Sequence, residues 1–370
     1  MRGRHDLVVI GGGVMGSAAA LQAASGGMRV ALLEQATLGS GASGVNAGTL
    51  SLSIKRAQLM PYAIKGYEWW RRAGDAVGYR RTGGATLAFN LEESELLHQR
   101  TKLKVAAGAP IRMISPDELA SREPALTEKV VAATWCDEDG YVNSSLTGLY
   151  FRALLRGGGI TISEQARVVA IERSGDGFTI RTPDESFEAA HLLLACGAWL
   201  EPVAAMLGIV VKPRVRVNTV SVTERGPRLF HAVIGHATGL LTLKQKENGT
   251  VLIGGGWQGR GAPSEGRGEV APDTLLDNLR LAQFAVPSLG TLRLVRAWTG
   301  FEANVPDYYP LAGAVPGVPA AFVLGCVRGG YTIGPYIGRL VGDLILGRDP
   351  EMPLFDPARF ITASAPLLET

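Results

Sequence analysis

The residues best placed to do chemistry stand near the start of the chain, where Gly11-Gly12-Gly13-Val14-Met15-Gly16 satisfies G-x-G-x-x-G. The pattern lies between a short apolar run, Leu7–Ile10, and a stretch of helical character, Ser17–Ala24. In that setting Gly11 permits a tight turn, Gly13 lets the backbone approach a pyrophosphate, and Gly16 lets helix pack on strand. Val14 and Met15 then open a helix whose N-terminal N–H groups and dipole favour phosphate. Glu34 follows 18 residues after Gly16, at the end of a second apolar run, Arg29–Leu33. Its carboxylate, with Gln35 beside it, is placed to accept from a ribose 2′-OH and would repel a 2′-phosphate, so NADP is a poor fit. A lone glycine fingerprint can be a turn without a ligand. Strand, helix and Glu34 together make it a dinucleotide site.

A second set of small residues follows at Thr37–Gly48, TLGSGASGVNAG. Ser43, Asn46, Ala47, Gly48 and the adjoining Thr49 would let the chain pass close to a bound cofactor; a flexible Gly/Ser loop is the alternative. Other side chains exclude whole classes of function. Cys136, Cys196 and Cys326 are far apart and form no C-x-x-C pair, so a disulfide framework, a zinc site or an iron–sulfur cluster ligated by this chain alone is not expected. His231 and His236, the closest histidines, read as structural or solvated loop residues, and no metal is expected. The balance of 37 basic to 34 acidic residues gives no reason to expect nucleic acid or an anionic membrane as partner. Leu7–Ala24 superficially resembles a signal peptide, yet its four glycines fit a strand, turn and helix better. No other stretch approaches the roughly 20 apolar residues of a membrane span. A soluble, cytoplasmic protein is expected.

The elements that must position these residues fill more than one domain, since 370 residues suggest about two at roughly 150 each. At 46 % hydrophobic and 19 % charged, the chain can bury a large core. Helical periodicity marks residues 92–104, 146–155 and about 333–346. Strands are expected at 85–89, 167–171, 178–181, 191–195, 217–222, 239–244, 251–253 and 321–324. Nucleotide-domain signals occur at both ends, so the fold class is α/β with α+β. A Rossmann-type dinucleotide-binding domain over 1–84, 140–212 and 298–370 interleaves with a mainly antiparallel β-sheet substrate domain over 85–139 and 213–297.

FAD enters through a resemblance. The glycine fingerprint, Glu34, Ser40-Gly-Ala-Ser43 and Asn46-Ala-Gly48 resemble the D-amino-acid oxidase superfamily of flavoproteins, and the likeness covers nearly the whole chain. Asp139-Gly140-Tyr-Val-Asn143 is similar to that family's domain crossover, and Val168 falls where its backbone contacts adenine. Ala195-Cys196-Gly197-Ala-Trp199 resembles its second dinucleotide-contacting turn, and Trp298-Thr-Gly300, with Pro306, Asp307 and Pro310, its approach to the flavin. Gly325-Cys-Val-Arg328-Gly329-Gly330-Tyr331-Thr332-Ile333-Gly-Pro335 resembles its last strand-to-helix turn. The resemblance implies a helix N-terminus that stabilises negative charge at N1–C2=O of reduced flavin. It also implies oxidation of an amine or amino-acid-like substrate by hydride transfer to flavin N5, giving an imine that hydrolyses. Arg328 is then the implied carboxylate anchor, with a structural ion pair as the alternative. Tyr331 would line the pocket, donate to substrate or pack on the ring. Lys244 would reach substrate or a second flavin, or stand as an exposed hairpin charge.

More narrowly, GCVRGGYTIGP and the chain length resemble β subunits of heteromeric flavoenzymes such as D-hydroxyproline dehydrogenase, heterotetrameric sarcosine oxidase and the octopine and nopaline oxidases. Ala42–Arg56 is most similar to the opine oxidases. This implies an α subunit and a small ferredoxin-like subunit, with FMN and a 2Fe–2S cluster held with or by those partners. Two departures stand out. Asn143-Ser144-Ser145 offers no histidine for a covalent FMN, and Thr332 replaces an FMN-contacting lysine. The flavin-linking cysteine and oxygen-activating lysine of monomeric sarcosine oxidase fall near Phe301 and Leu252, so FAD is expected to be noncovalent. Tyr62, Tyr67, Trp69 and Trp70 are candidate anchors for a partner, or core residues. The competing functions are an amine or imino-acid oxidase subunit, a stand-alone glycine-oxidase-like enzyme of thiamine synthesis, and an inactive flavin-binding assembly subunit.

Overall fold

The computed structural model describes residues 4–363. The chain forms two compact units, Met1–Gly44 with Ser145–Arg216 and Glu302–Thr370, and Val45–Ser144 with Val217–Phe301. The first boundary thus lies at Gly44, not after Gly84 as the sequence suggests. Residues 45–84 join the second unit because Thr49–Leu50 and Arg80–Arg81 both pair antiparallel with Gly140–Tyr141.

In the first unit the apolar run becomes the strand His5–Ile10, parallel to Val30–Leu33 on one side and Ser186–Leu194 on the other. Thr161–Ser163 and Ala321–Gly325 extend the parallel set. Leu7, Val8 and Val9 are fully buried, as a strand covered on both faces requires. Because these strands are parallel, the turns after Ile10, Leu194 and Gly325 gather at one edge, where such sheets bind ligands. Ala170–Ser174 and Gly177–Arg181 add an antiparallel margin. The helices Val14–Ser25 and Gly330–Ile345 pack on each other through small residues. A Cβ on Gly338 would lie 2.6 Å from the Met15 carbonyl oxygen, and one on Gly342 2.5 Å from Gln22 Cβ. Gln22 also donates to Asp343 at 2.7 Å.

The second unit is built on an eight-stranded sheet, antiparallel in most pairs but with Val233–His236 parallel to Gly84–Ala88. Leu87, Trp135, Phe230, Ile234, Leu243 and Ile253 fill its core. The strand expected from residue 239 begins at Thr242, because Gly239 sits at φ +80° in a turn bonded to the His236 carbonyl. Tyr62, Tyr67 and Trp70 are buried, at 6 %, 4 % and 0 % exposure, so these three serve the core and not a partner. Among the described residues no helix is long and apolar enough to cross a membrane.

Buried polar groups brace the segment after Thr49. Asp139 accepts from Ser51 Oγ at 2.5 Å and Leu52 N at 2.7 Å, and burial pushes its carboxyl up. Lys104, on the helix Leu91–Ala106, donates to the Ser53 carbonyl; burial, then Arg100, lowers its ammonium to about 8. The unfolded chain therefore binds this proton more tightly than the folded one. Wild type should gain stability relative to Lys104→Met as pH rises from about 8 towards the ordinary lysine value, by about 3 kcal/mol in all, and lose it again as pH falls through that window. Urea denaturation of both proteins across the window checks this; parallel stability profiles would remove Lys104 as a buried base.

Candidate functional site

In the first unit, backbone sterics fix the glycine turn. Gly11 lies at φ +114°, and a Cβ there would stand 2.3 Å from the Ala195 carbonyl oxygen. The helix after it starts at Gly13 without a side-chain cap. Val14 does not offer the amide expected of it: its N–H donates to Ser43 Oγ at 3.0 Å, leaving the first-turn amides of Gly13 and Met15 for an anion. Glu34 is tied to the same turn, Oε2 accepting from Gly12 N at 2.8 Å and Oε1 from Ala36 N at 2.9 Å. Burial raises its pKa, and these two amide bonds oppose the rise. Ala166 N donates to the Glu34 carbonyl at 2.9 Å, which brings the segment leading to buried Val168 alongside. The sequence reading missed Glu164, which accepts from Leu38 N at 2.6 Å and is held by Arg152 at 2.5 and 2.7 Å. Glu34→Ala should weaken binding of an adenine dinucleotide by about 1–3 kcal/mol, measured by titration of the apoprotein. Unchanged affinity would take Glu34 out of the site.

The second turn, Cys196–Trp199, touches both neighbours. Cys196 Sγ approaches the Ile10 carbonyl at 3.4 Å, and a Cβ on Gly41 would lie 3.9 Å from the Trp199 ring. Cys326 Sγ reaches the Gly197 carbonyl at 3.7 Å from a backbone at φ +55°. Burial pushes both thiols up, so neither is a ready nucleophile.

The last turn delivers a second uncapped helix. Gly330–Ile345 starts from Gly329 at φ +70° with no side-chain cap. Thr332 is fully buried, and its Oγ1 has no hydrogen-bond partner among the described residues. Ile333 is buried beside it, and a Cβ on Gly330 would meet Met15 Cε at 3.0 Å. The Tyr331 hydroxyl pairs with that of Thr147 at 2.7 Å, and burial raises its pKa, so the phenol is engaged within this unit. Arg328 is exposed just before this helix. Glu302, which the sequence reading passed over, accepts from Gly329 N at 2.7 Å. Two helix starts at glycine caps, a carboxylate fixed at the first turn and a buried hydroxyl at Thr332 without a partner among the described residues fit an anionic dinucleotide whose reduced ring carries negative charge.

In the second unit, Asn46 Oδ1 accepts from Gly48 N at 2.7 Å, and its carbonyl accepts from Ser144 Oγ at 2.6 Å. Gly48 lies at φ +71°, where a Cβ would stand 2.2 Å from the Val142 carbonyl oxygen. Lys244 is 1 % exposed, which rules out an exposed hairpin charge. Its Nζ donates to the Ala47 carbonyl at 2.6 Å and to Thr49 Oγ1, and burial drives its pKa well down. Leu252 faces it across the strand pair. Trp298 Nε1 donates to the Val45 carbonyl at 2.7 Å, and a Cβ on Gly300 would press on Val45 at 2.5 Å. His236 is not a loop residue: it ends a buried strand, its ring bonded to Thr238 at 2.7 Å and Glu93 at 3.1 Å. Among the described residues no three His, Cys, Asp or Glu are grouped to hold a metal.

Comparison with known proteins matches residues 6–344 to the family described as FAD dependent oxidoreductase. The chain is 27 % identical over 361 residues to glycine oxidase of Geobacillus kaustophilus (strain HTA426), spanning 93 % of this chain and 94 % of that one. It is 24 % identical over 372 residues to one of the subunits of opine oxidase from Rhizobium meliloti, spanning 96 % and 97 %. The structure of L-proline dehydrogenase from P. horikoshii shares the fold, with a TM-score of 0.87 at 21 % identity over 97 % of this chain and 98 % of that one.

Proposed function

Because this chain belongs to the FAD-dependent oxidoreductase family, we propose that it oxidises a secondary amine or amino-acid-like substrate (an opine, imino acid or D-amino acid) as the catalytic β subunit of a cytoplasmic heteromer. The observation that carries the reading is the last turn of the first unit, where exposed Arg328 precedes the uncapped helix at Gly329. Bound FAD supplies the acceptor for the two electrons of the substrate C–H bond. Gly11, Gly13, Met15 and Gly16 would hold its phosphates and Glu34 with Gln35 its ribose. Val168, Cys196, Gly197 and Trp199 would lie along the adenine side. Within the first unit, Ser43 and Gly329–Ile333 would frame the ring. Arg328 would grip the substrate carboxylate with a planar, two-pronged guanidinium and so orient the amine. The amine must be neutral to react, and the imine produced hydrolyses in water without a dedicated acid. The two hydrogen bonds from Lys244 go to Ala47 and Thr49, which supports a role in holding that segment.

The place in a heteromer is supported by the end-to-end match to the opine oxidase chain, itself a subunit. Electrons would then leave through FMN or a 2Fe–2S cluster held with or by an α subunit and a ferredoxin-like subunit. The match to glycine oxidase favours a second reading, a self-sufficient oxidase. Anaerobic mixing with a series of amines should bleach the flavin of the isolated chain, and reoxidation by oxygen should then be slow. No bleaching by any amine would point to an inactive assembly subunit. Fast reoxidation with release of peroxide would replace the heteromer by the self-sufficient enzyme.

A further inference from the structure

One row of residues crosses the sheet of the second unit on the face turned away from its core. Thr134, Thr86, Gly235, Thr242 and Gly254 stand opposite one another on five successive strands. Side chains alternate along a strand, so the row faces away from Ala85, Leu87, Ile234, Leu243 and Ile253, which fill the core. Two of its five places carry no side chain. Neither Gly235 nor Gly254 lies at positive φ, so the backbone does not require glycine there. Glycine in a strand weakens it and marks a close approach by a ligand or another backbone. A Cβ on Gly235 would meet Ile54 Cγ2 at 3.3 Å and Thr86 Oγ1 at 3.5 Å. One on Gly254 would meet Thr242 Oγ1 at 3.4 Å and then only atoms of the sheet, from 3.9 Å. Both glycines are nonetheless buried, which makes the row concave.

Two hydroxyls lean into this hollow, and one of them is unpaired. Thr86 is 4 % exposed, and its Oγ1 has no hydrogen-bond partner among the described residues. Leaving such a group unmet costs about 1–3 kcal/mol, which a ligand bonded to it would recover. Ile54 forms a wall, 37 % exposed although Ser51, Leu52 and Ser53 before it are buried. Asp139 and Lys104 hold that segment through Leu52 N and the Ser53 carbonyl, so the wall is set in place. The row itself contains no charged residue, and Lys244, two places along the strand from Thr242, gives its bonds to Ala47 and Thr49. We propose that the hollow receives the end of the substrate remote from its amine, and that Thr86 selects an uncharged end with a hydrogen-bonding oxygen, as in a carboxamide. The inference rests on the proposed oxidation and adds to it what the substrate carries at its far end.

FAD-loaded protein is titrated calorimetrically with succinamate and with its apolar isostere isocaproate, neither of which has an amine to oxidise. Wild type should bind succinamate about 3- to 10-fold more tightly, the strength of one neutral hydrogen bond. Thr86→Val keeps the shape and removes the hydroxyl, and should bring the two within about twofold with flavin content kept. Thr86→Ser should retain the preference, and Thr86→Ala should lose it if the valine variant does not fold. Gly235→Ala should weaken both ligands by roughly threefold or more, since its Cβ takes up space and removes no bond. Absence of a preference in wild type, or a preference that survives loss of the hydroxyl, overturns the site. Amines that bleach the flavin while neither ligand binds overturn it as well. The expected preference with no amine able to bleach the flavin would instead sink the proposed oxidation and leave the hollow standing.

Discussion

Gly16→Ala should yield protein that has lost most of its flavin. A Cβ at this position would lie 2.2 Å from the Gly11 carbonyl oxygen, 3.0 Å from Ala195 Cβ and 3.3 Å from Val9 Cγ1. The nearest of these is backbone and cannot swing aside, so the helix must lift from the turn proposed to cradle the phosphates. Overpacking of this kind costs about 1–3 kcal/mol, and displacement of the first-turn amides adds to it. FAD affinity should fall on the order of 100-fold. Gly157→Ala supplies the control, since a Cβ there meets nothing within 4 Å and the residue ends a helix. That variant should keep its flavin and gain up to about 1 kcal/mol from helix propensity. Equal flavin content in the two purified variants would show that the close approach at Gly16 does not govern binding.

Arg328→Ala should raise the dissociation constant of a carboxylate-bearing amine by roughly 10- to 100-fold while FAD stays bound. The exposed guanidinium is screened by water before a ligand arrives, which keeps the effect below that of a buried ion pair. Arg328→Lys should restore only part, because a point charge cannot match both carboxylate oxygens. Anaerobic flavin reduction as a function of amine concentration reads the change directly. Identical half-saturation in wild type and Arg328→Ala would place the anchor on another residue.

What the sequence disclosed was whatever local sterics enforce. Gly11, Gly13, Gly16 and Glu34 announce themselves because a turn, a helix start and a strand end impose fixed spacings on a short segment. The helix 330–345 was legible for the same reason, three residues short at its start. Lys244 was not, because its burial depends on the Ala47–Thr49 segment, nearly two hundred positions away. Glu302 was passed over because it gains meaning only from Gly329, which the last turn brings against it. The boundary at Gly44 was hidden because it depends on two short strands finding the same partner at Gly140–Tyr141. Tyr62, Tyr67 and Trp70 carry no mark in the sequence that tells an inward aromatic from one awaiting a partner.

The contact between the helices Val14–Ser25 and Gly330–Ile345 amounts to a gauge block. Each helix begins at a glycine cap, Gly13 or Gly329, and the seam at Gly338 and Gly342 leaves little room for either to slide or tilt. In the proposed site, the span between the seat for a pyrophosphate and the seat for a flavin ring would thereby be set by packing within the first unit. A bulky side chain at Gly338 would reset that span without altering a single binding group. The seam is therefore where cofactor fit could be lost while every motif residue stayed in place.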